Sequence, residues 1–268
     1  IKANMASASI EAGAGSDTIN FLPSSVSILG TTIKGGAGAD QISLYGANDV
    51  VFNIASGDSV FGGTGADTLF FTGSVLNNSI QAGSGNDSIV MAGSGMTGNT
   101  IDLGVGTDTI KFTTATNADT VTVTSTTITG AKSLTYEKAA TAAAITTGAG
   151  ADVVVFEAAV TGAGVIATNS GNDSIQFLKN ATFTTANLGA GADSVYGAEV
   201  ISNSTISGAA GKDTFLISTL SDAAIYGGSD QDSINITGSL YGATVDFGAG
   251  NEIFSLTVGA TATTLAGG

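Results

Sequence analysis

A carboxylate returns along this chain at a nearly constant interval, and that interval restricts what the chain can fold into. The positions are Asp17, Asp40, Asp67, Asp87, Asp108, Asp152, Asp173, Asp193, Asp213 and Asp232, with Glu252 in the same slot. Most steps are 19 to 23 residues and one is 27. The 44-residue interval from Asp108 to Asp152 is two periods, with Lys132 of "GAKSL" in the acidic slot at its centre. A period near twenty marks a stacked repeat rather than an ordinary globular domain. Twelve registers are read in this way, and the closing "TLAGG" reads as the opening of a thirteenth.

Around the slot the pattern has a period of two. Seven residues before it stand Ile10, Ile33, Val60, Ile80, Ile101, Ile145, Ile166, Ile206, Ile225 and Val245, with Ser125 and Ala186 as departures. Two residues after it stand Ile19, Ile42, Leu69, Ile89, Ile110, Leu134, Val154, Ile175, Val195, Phe215, Ile234 and Phe254. Apolar residues two apart on both sides of a glycine-rich break predict strand, turn, strand. No segment predicts a helix; the alanine-rich "YEKAATAAAITT" at Tyr136–Thr147 lies inside the repeat frame and is expected to be an irregular connection.

One register cannot bury its own apolar row, so registers must stack as coils. Strands one coil apart then run parallel, and right-handed winding is the expected hand. The expected fold is all-β: a right-handed parallel β-solenoid of about twelve coils, each of roughly twenty residues. It is expected to occupy residues 1–268 as one continuous domain, a segment of a longer chain. A further apolar position in many coils, such as Val75, Val160, Val200, Leu220 or Leu240, is compatible with a two-sided β-roll or a three-sided β-helix.

Composition narrows the chemistry. The 268 residues include 39 glycines, one proline, no Cys, His, Trp or Arg, and seven lysines, for a net charge of −15. That inventory lacks thiol nucleophiles, the commonest general base, zinc ligands of the usual kind and arginine clamps. The charge repels nucleic acid and anionic lipid, and no run of about 18 apolar residues predicts a membrane span. Divalent cations suit it.

Stacking would place successive carboxylates about 5 Å apart, where repulsion is roughly 1 kcal/mol per pair in water and 3 kcal/mol at an effective dielectric of 20. Lysine is too scarce to offset a row of eleven acids. A hard cation with an all-oxygen shell would offset it. The glycines of "GGAGAD" (Gly35–Asp40) and "GGTGAD" (Gly62–Asp67) permit positive-φ turns that aim carbonyls inward. The same Asp can alternatively cap its own turn through an Asx hydrogen bond without any metal.

These hexads, with "AGAGSD", "AGSGND", "LGVGTD", "TGAGAD" and "LGAGAD", resemble the RTX, or haemolysin-type, calcium-binding repeat G-G-x-G-x-D-x-U-x. The resemblance implies a parallel β-roll, calcium between turns of adjacent coils, and folding outside the cell. Carried onto this sequence, it implies calcium sites at Asp17, at Gly36, Gly38 and Asp40, at Gly63, Gly65 and Asp67, and at Gly83, Gly85 and Asp87. It continues with Gly104, Gly106 and Asp108, with Gly148, Gly150 and Asp152, with Asp173, with Gly189, Gly191 and Asp193, and with Asp213, Asp232 and Glu252.

The family's coils are shorter and carry the motif on both sides. Here it recurs on one side, with "ANDVVF" and "NADTVTV" as faint second copies, so one row of ions is expected. "TNSGND", "GAAGKD" and "GGSDQD" each lose a glycine; Asn169 and Asp230 tolerate the left-handed region, Ala209 less well. Lys132 cannot ligate a cation and is expected to interrupt the row.

A row of hydroxyl residues follows the acid: Thr18, Thr68, Ser88, Thr109, Ser133, Ser174, Ser194, Thr214 and Ser233. It could face ice or carbohydrate, but a solvent-facing strand position with cross-coil hydrogen bonds is the expected role. The favoured function is a secreted, calcium-binding structural region of a bacterial surface protein such as an S-layer, adhesin or filament. Its expected partners are calcium ions, further copies of itself or neighbouring domains of the same chain, with no nucleic acid and no membrane insertion. A non-catalytic module of a secreted enzyme is the alternative. A polysaccharide-acting β-helix enzyme is disfavoured, because a base near a sugar carboxylate would have to come from scattered lysines.

Overall fold

The computed structural model describes residues 5–21, 28–29, 32–37, 41–44, 59–71, 79–92, 96–97, 99–112, 116–117, 120–122, 132–136, 140–141 and 144–267. Every regular element among them is a strand, and every pair of strands recorded in register is parallel. The chain divides into two compact units, Ile1–Glu137 and Lys138–Gly268.

In the first unit, strands preceding the acidic slot stack in the order Ser9–Ala14, Thr32–Ala37, Ser59–Thr64, Ser79–Ser84, Thr100–Asp102 and Thr120–Thr122. Strands following the slot stack beside them: Thr18–Phe21, Gln41–Leu44, Thr68–Phe71, Ser88–Met91, Asp108–Phe112 and Lys132–Tyr136. The second unit repeats the scheme, with slot-following segments starting at Val153, Ser174, Ser194, Thr214, Ser233 and Ile253. A parallel β-solenoid is thereby defined. Complete turns number about nine, slightly fewer than the twelve registers read from the acidic slot.

Each complete coil carries three strand segments. In the second unit the third is short, as in Leu240–Tyr241 and Ala260–Thr261, or it continues from the slot-following strand across a register shift, as in Ser194–Ser202. Val160, Leu220 and Leu240 are buried there as expected. At Val200 the inward residue is instead its neighbour Ile201, because the shift between Gly197 and Val200 moves the pleat by one position. Val75 lies outside the described residues.

The two expected apolar rows form the core. Ile80, Ile101, Ile145, Ile225 and Val245 are 0% exposed on one side, and Leu69, Ile89, Leu134, Val154, Ile175, Phe215 and Ile234 on the other. Ala186 keeps its place in the row, buried between Ile166 and Ile206. Behind the second row lie Phe71, Met91, Phe112, Phe156 and Phe177; the last two rings stack at 5.3 Å and 6°. Side chains of one kind repeat every coil, so the core is a set of ladders, each residue packing against its own counterpart.

Two expectations need correction. Ser125 lies outside the described residues, and the register pairs Ile101 with Val121 while Asp108 pairs with Lys132. Lys132 therefore does occupy the acidic slot, but four extra residues separate it from the preceding strand, which displaces the apolar position from Ser125 to Val121. The "YEKAATAAAITT" stretch is also more regular than expected: Ala140–Thr141 and Ala144–Thr146 are strands, and Ile145 is fully buried.

Candidate metal centre

The turn hexad sits between two strands whose registers are locked on both sides, and this fixes the acid at its end. Asp67, Asp87, Asp108, Asp152, Asp173, Asp193, Asp213 and Asp232 are each at most 2% exposed. Asp67, Asp87, Asp152, Asp173, Asp193 and Asp213 are each held to the next coil in two ways. The N–H of Asp173 donates to Asp193 Oδ1 (2.7 Å), that of Asp193 to Asp213 Oδ1 (2.9 Å), and that of Asp213 to Asp232 Oδ1 (2.9 Å). Asp67, Asp87 and Asp152 donate in the same sense to Asp87, Asp108 and Asp173. Each acid's carbonyl then accepts from the residue after the next acid, as Thr214 N–H to Asp193 O and Ser233 N–H to Asp213 O, both at 2.8 Å.

One carboxylate oxygen is thus spent on the ladder. The other, Oδ2, is buried and has no hydrogen-bond partner in Asp173, Asp193, Asp213 and Asp232, as is Oε1 of Glu252. It points back into the turn: a Cβ on Gly208 would stand 2.1 Å from Asp213 Oδ2, and one on Gly227 2.6 Å from Asp232 Oδ2.

Burial is what these acids feel most. It pushes Asp173 from 3.8 up to about 7 and Asp213 up to about 6; the amide each accepts pulls the other way, and neighbouring row carboxylates add to the rise. Burial also raises Asp193 and Asp232. A buried anion whose second oxygen meets no donor is costly unless a cation answers it.

The turn supplies the remaining oxygens. Gly63, Gly65, Gly83, Gly85, Gly104, Gly106, Gly150, Gly189 and Gly191 all have positive φ. At Gly191 (φ +146°) a Cβ would lie 1.5 Å from Gly171 O, so only glycine lets one turn settle on the carbonyl of the last. Asn169, Ala209 and Asp230 replace glycines at φ 66°, 75° and 79°, so even the alanine is held in the left-handed region by the stack.

Of the other sequence-derived positions, Gly36 pairs with Gly13 and Gly63, Gly148 follows the buried Thr147, and Asp17 is only partly buried. Gly38, Asp40 and the faint second-side copy "ANDVVF" lie outside the described residues. Thr18, Thr68, Ser88, Thr109, Ser174, Ser194, Thr214 and Ser233 of the hydroxyl row face outward or half-outward, with Thr109 and Ser194 reaching the carbonyl of the acid one coil back.

No group of three or more His, Cys, Asp or Glu side chains gathers at one point among the described residues. Any ion here would be held by row carboxylates together with turn carbonyls, a hard all-oxygen set that fits calcium and does not fit zinc or copper.

The architecture defines a parallel β-solenoid with an internal carboxylate row, and comparison with known proteins makes it more specific. Residues 30–53, 55–71 and 72–90 match the RTX calcium-binding nonapeptide repeat (4 copies). Those residues are similar to RTX calcium-binding repeats, and such repeats indicate calcium as the cofactor. Among solved structures, a hyperactive, Ca2+-dependent, β-helical antifreeze protein from an Antarctic bacterium is similar over 98% of this chain and 80% of its own. The TM-score is 0.50 at 19% identity, a likeness of fold. A hyper-glycosylated TibA55-350 fragment produced with TibC aligns over 100% of both chains, at 16% identity and a TM-score of 0.33. A search of the curated proteins found no match.

Proposed function

We propose that this chain is a secreted, calcium-stabilised structural region of a bacterial cell-surface protein, of the S-layer, adhesin or filament kind. The observation that carries the reading is the row Asp173, Asp193, Asp213 and Asp232. In each, one oxygen caps the coil before it and the other lies buried without a protein partner. Asp17, Asp40, Asp67, Asp87, Asp108, Asp152 and Glu252 hold the same slot of the repeat and are proposed as further ligands, with carbonyls of the glycine turns completing the shells.

Bound calcium supplies positive charge between coils. The chain's own residues do the rest: glycines bring the turns together, amides fix Oδ1, and the apolar rows keep water out. Cytosol poor in calcium would leave such a chain extended and exportable, and calcium outside the cell would fold it. No catalytic role is proposed. The chain has no His, Cys or Arg, and the acids that pair in space are those the ion occupies.

Circular dichroism in EGTA and then in millimolar calcium tests the reading. A gain of β signal and a rise in melting temperature with calcium, and a much smaller one with magnesium, is the expected result. An unchanged spectrum and melting temperature would leave the acids as turn caps only.

A further inference from the structure

Away from the acidic row, a second corner of the coil shows a different regularity. Ten residues before the acid, successive coils place Phe183, Asn203, Asp222 and Gly242 at φ 57°, 48°, 49° and 56°. Asn, Asp and Gly are the residues that accept the left-handed region readily; Phe is not. The corner needs this backbone, because Asn203 N–H donates to Ser221 O, Asp222 N–H to Tyr241 O and Gly242 N–H to Thr261 O, locking each coil to the next. Phe183 therefore holds a strained conformation that Asn or Gly would relieve.

The strain does not serve the core, since Phe183 is 57% exposed. The ring stands at one end of an open groove of about 460 Å³ that runs across four coils. Polar Asn203, Ser204, Thr205, Asp222 and Thr244 line the rest of it, with Ala223, Ala224 and Gly242 between them. Asp222 Oδ1 lies over the bare α-carbon of Gly242, where a Cβ would meet it at 2.3 Å, so the absent side chain keeps the carboxylate open along the groove.

An exposed aromatic face beside amide, hydroxyl and carboxylate groups fits a ring with one apolar face and a rim of hydroxyls. No lysine lines the groove, and the chain carries −15, so an anionic ligand is disfavoured. The coil-by-coil repetition of polar groups suits a polymer of such rings laid along the solenoid. We infer that the corner from Phe183 to Thr244 is a binding groove for neutral polysaccharide, with Phe183 as the stacking platform and Asn203 and Asp222 as hydroxyl partners.

Affinity electrophoresis of the full chain in calcium-containing gels is the test. The probes are four neutral polysaccharides (mixed-linkage β-glucan, dextran, xylan and galactomannan), with alginate as the anionic control. Retardation by at least one neutral polymer is expected, with affinity about tenfold weaker in Phe183→Ala and in Phe183→Asn. Phe183→Asn should at the same time melt at an equal or higher temperature, and Tyr196→Ala, on a different strand face, should bind as wild type. No retardation by any neutral polymer, stronger retardation by alginate, or undiminished binding by the Phe183 variants would overturn the assignment. So would a fall in melting temperature in Phe183→Asn, which would make the ring a packing residue.

Discussion

Asp213→Asn separates the two roles of the acidic slot. Asn keeps an oxygen that can accept the Asp193 N–H, a bond of 2.9 Å in the wild type. It replaces the buried Oδ2 with an uncharged amide nitrogen. In the calcium-free chain, burial pushes the Asp213 carboxyl from 3.8 up to about 6, with the charges of Asp193, Asp232 and Asp230 adding to the rise. A folded-state value above the unfolded one means that the fold's stability is fully present below about pH 3.8. It is lost as pH rises through about 6, and for Asp173 through about 7. For Asp213 alone the loss at neutral pH is about 3 kcal/mol, since each unit is worth about 1.4 kcal/mol. Removing the charge in EGTA at pH 8 should therefore raise the melting temperature by roughly 6–10 °C. In millimolar calcium one lost site cancels most of that gain, and two lost sites reverse its sign. An ion bound only by the folded state contributes about 2.7 kcal/mol at a hundred times its dissociation constant, and the variant forfeits that at the sites Asp213 serves. Thermal melts followed by circular dichroism at pH 5 and pH 8, in EGTA and in calcium, measure both effects. A variant that melts lower than wild type by the same amount in all four conditions would refute the reasoning and reduce Asp213 to a hydrogen-bond acceptor.

The glycine turns make a second prediction. Gly191→Ala places a methyl 1.5 Å from Gly171 O and should cost several kcal/mol, whereas Gly259→Ala, with nothing within 4 Å, should be near neutral; paired melts compare them. Phe177→Ala empties half of the stacked pair with Phe156 and should cost about 3–5 kcal/mol by calcium-saturated denaturation. At the Lys132 coil the ion row should break, because an ammonium donates and cannot ligate. An anomalous-scattering map of calcium-soaked crystals should show a gap there, and an ion coordinated beside Lys132 would contradict it.

The rows that became the core were legible because a twenty-residue period and a two-residue period both had to hold, and few sequences satisfy both by accident. Ile19, Ile89 and Ile234 could be placed from the Asp two residues earlier, and the structure buries all three. The same rule misplaced Ser125. In "ADTVTVTSTT" the alternation continues through several registers, and only the strand pairing shows that Val121 is the partner of Ile101. The acid row was legible as a row, but its inner bonding was not. That Oδ1 would cap the preceding amide while Oδ2 stayed buried depends on the direction of each turn, which spacing does not specify. The corner at Phe183 went unread for a different reason. Asn203, Asp222 and Gly242 are ordinary turn residues taken singly, and their common distance from the acid gains meaning only once φ is known to be positive at all of them.

Because Asp173, Asp193 and Asp213 each give an amide to the coil after and an Oδ1 to the coil before, these coils present the same plug on one side and the same socket on the other. Excising Ser194–Asp213 would join Asp193 directly to Thr214, leaving Asp173 to donate to Asp193 and Asp193 to face Asp232, with no bond type lost. Excising half that length would set each following turn against a strand of the coil before it, and the acid row would lose its register. Such a chain can lengthen or shorten by duplication and deletion only in whole coils, so its reach is a quantity its gene can count out in steps of about twenty codons.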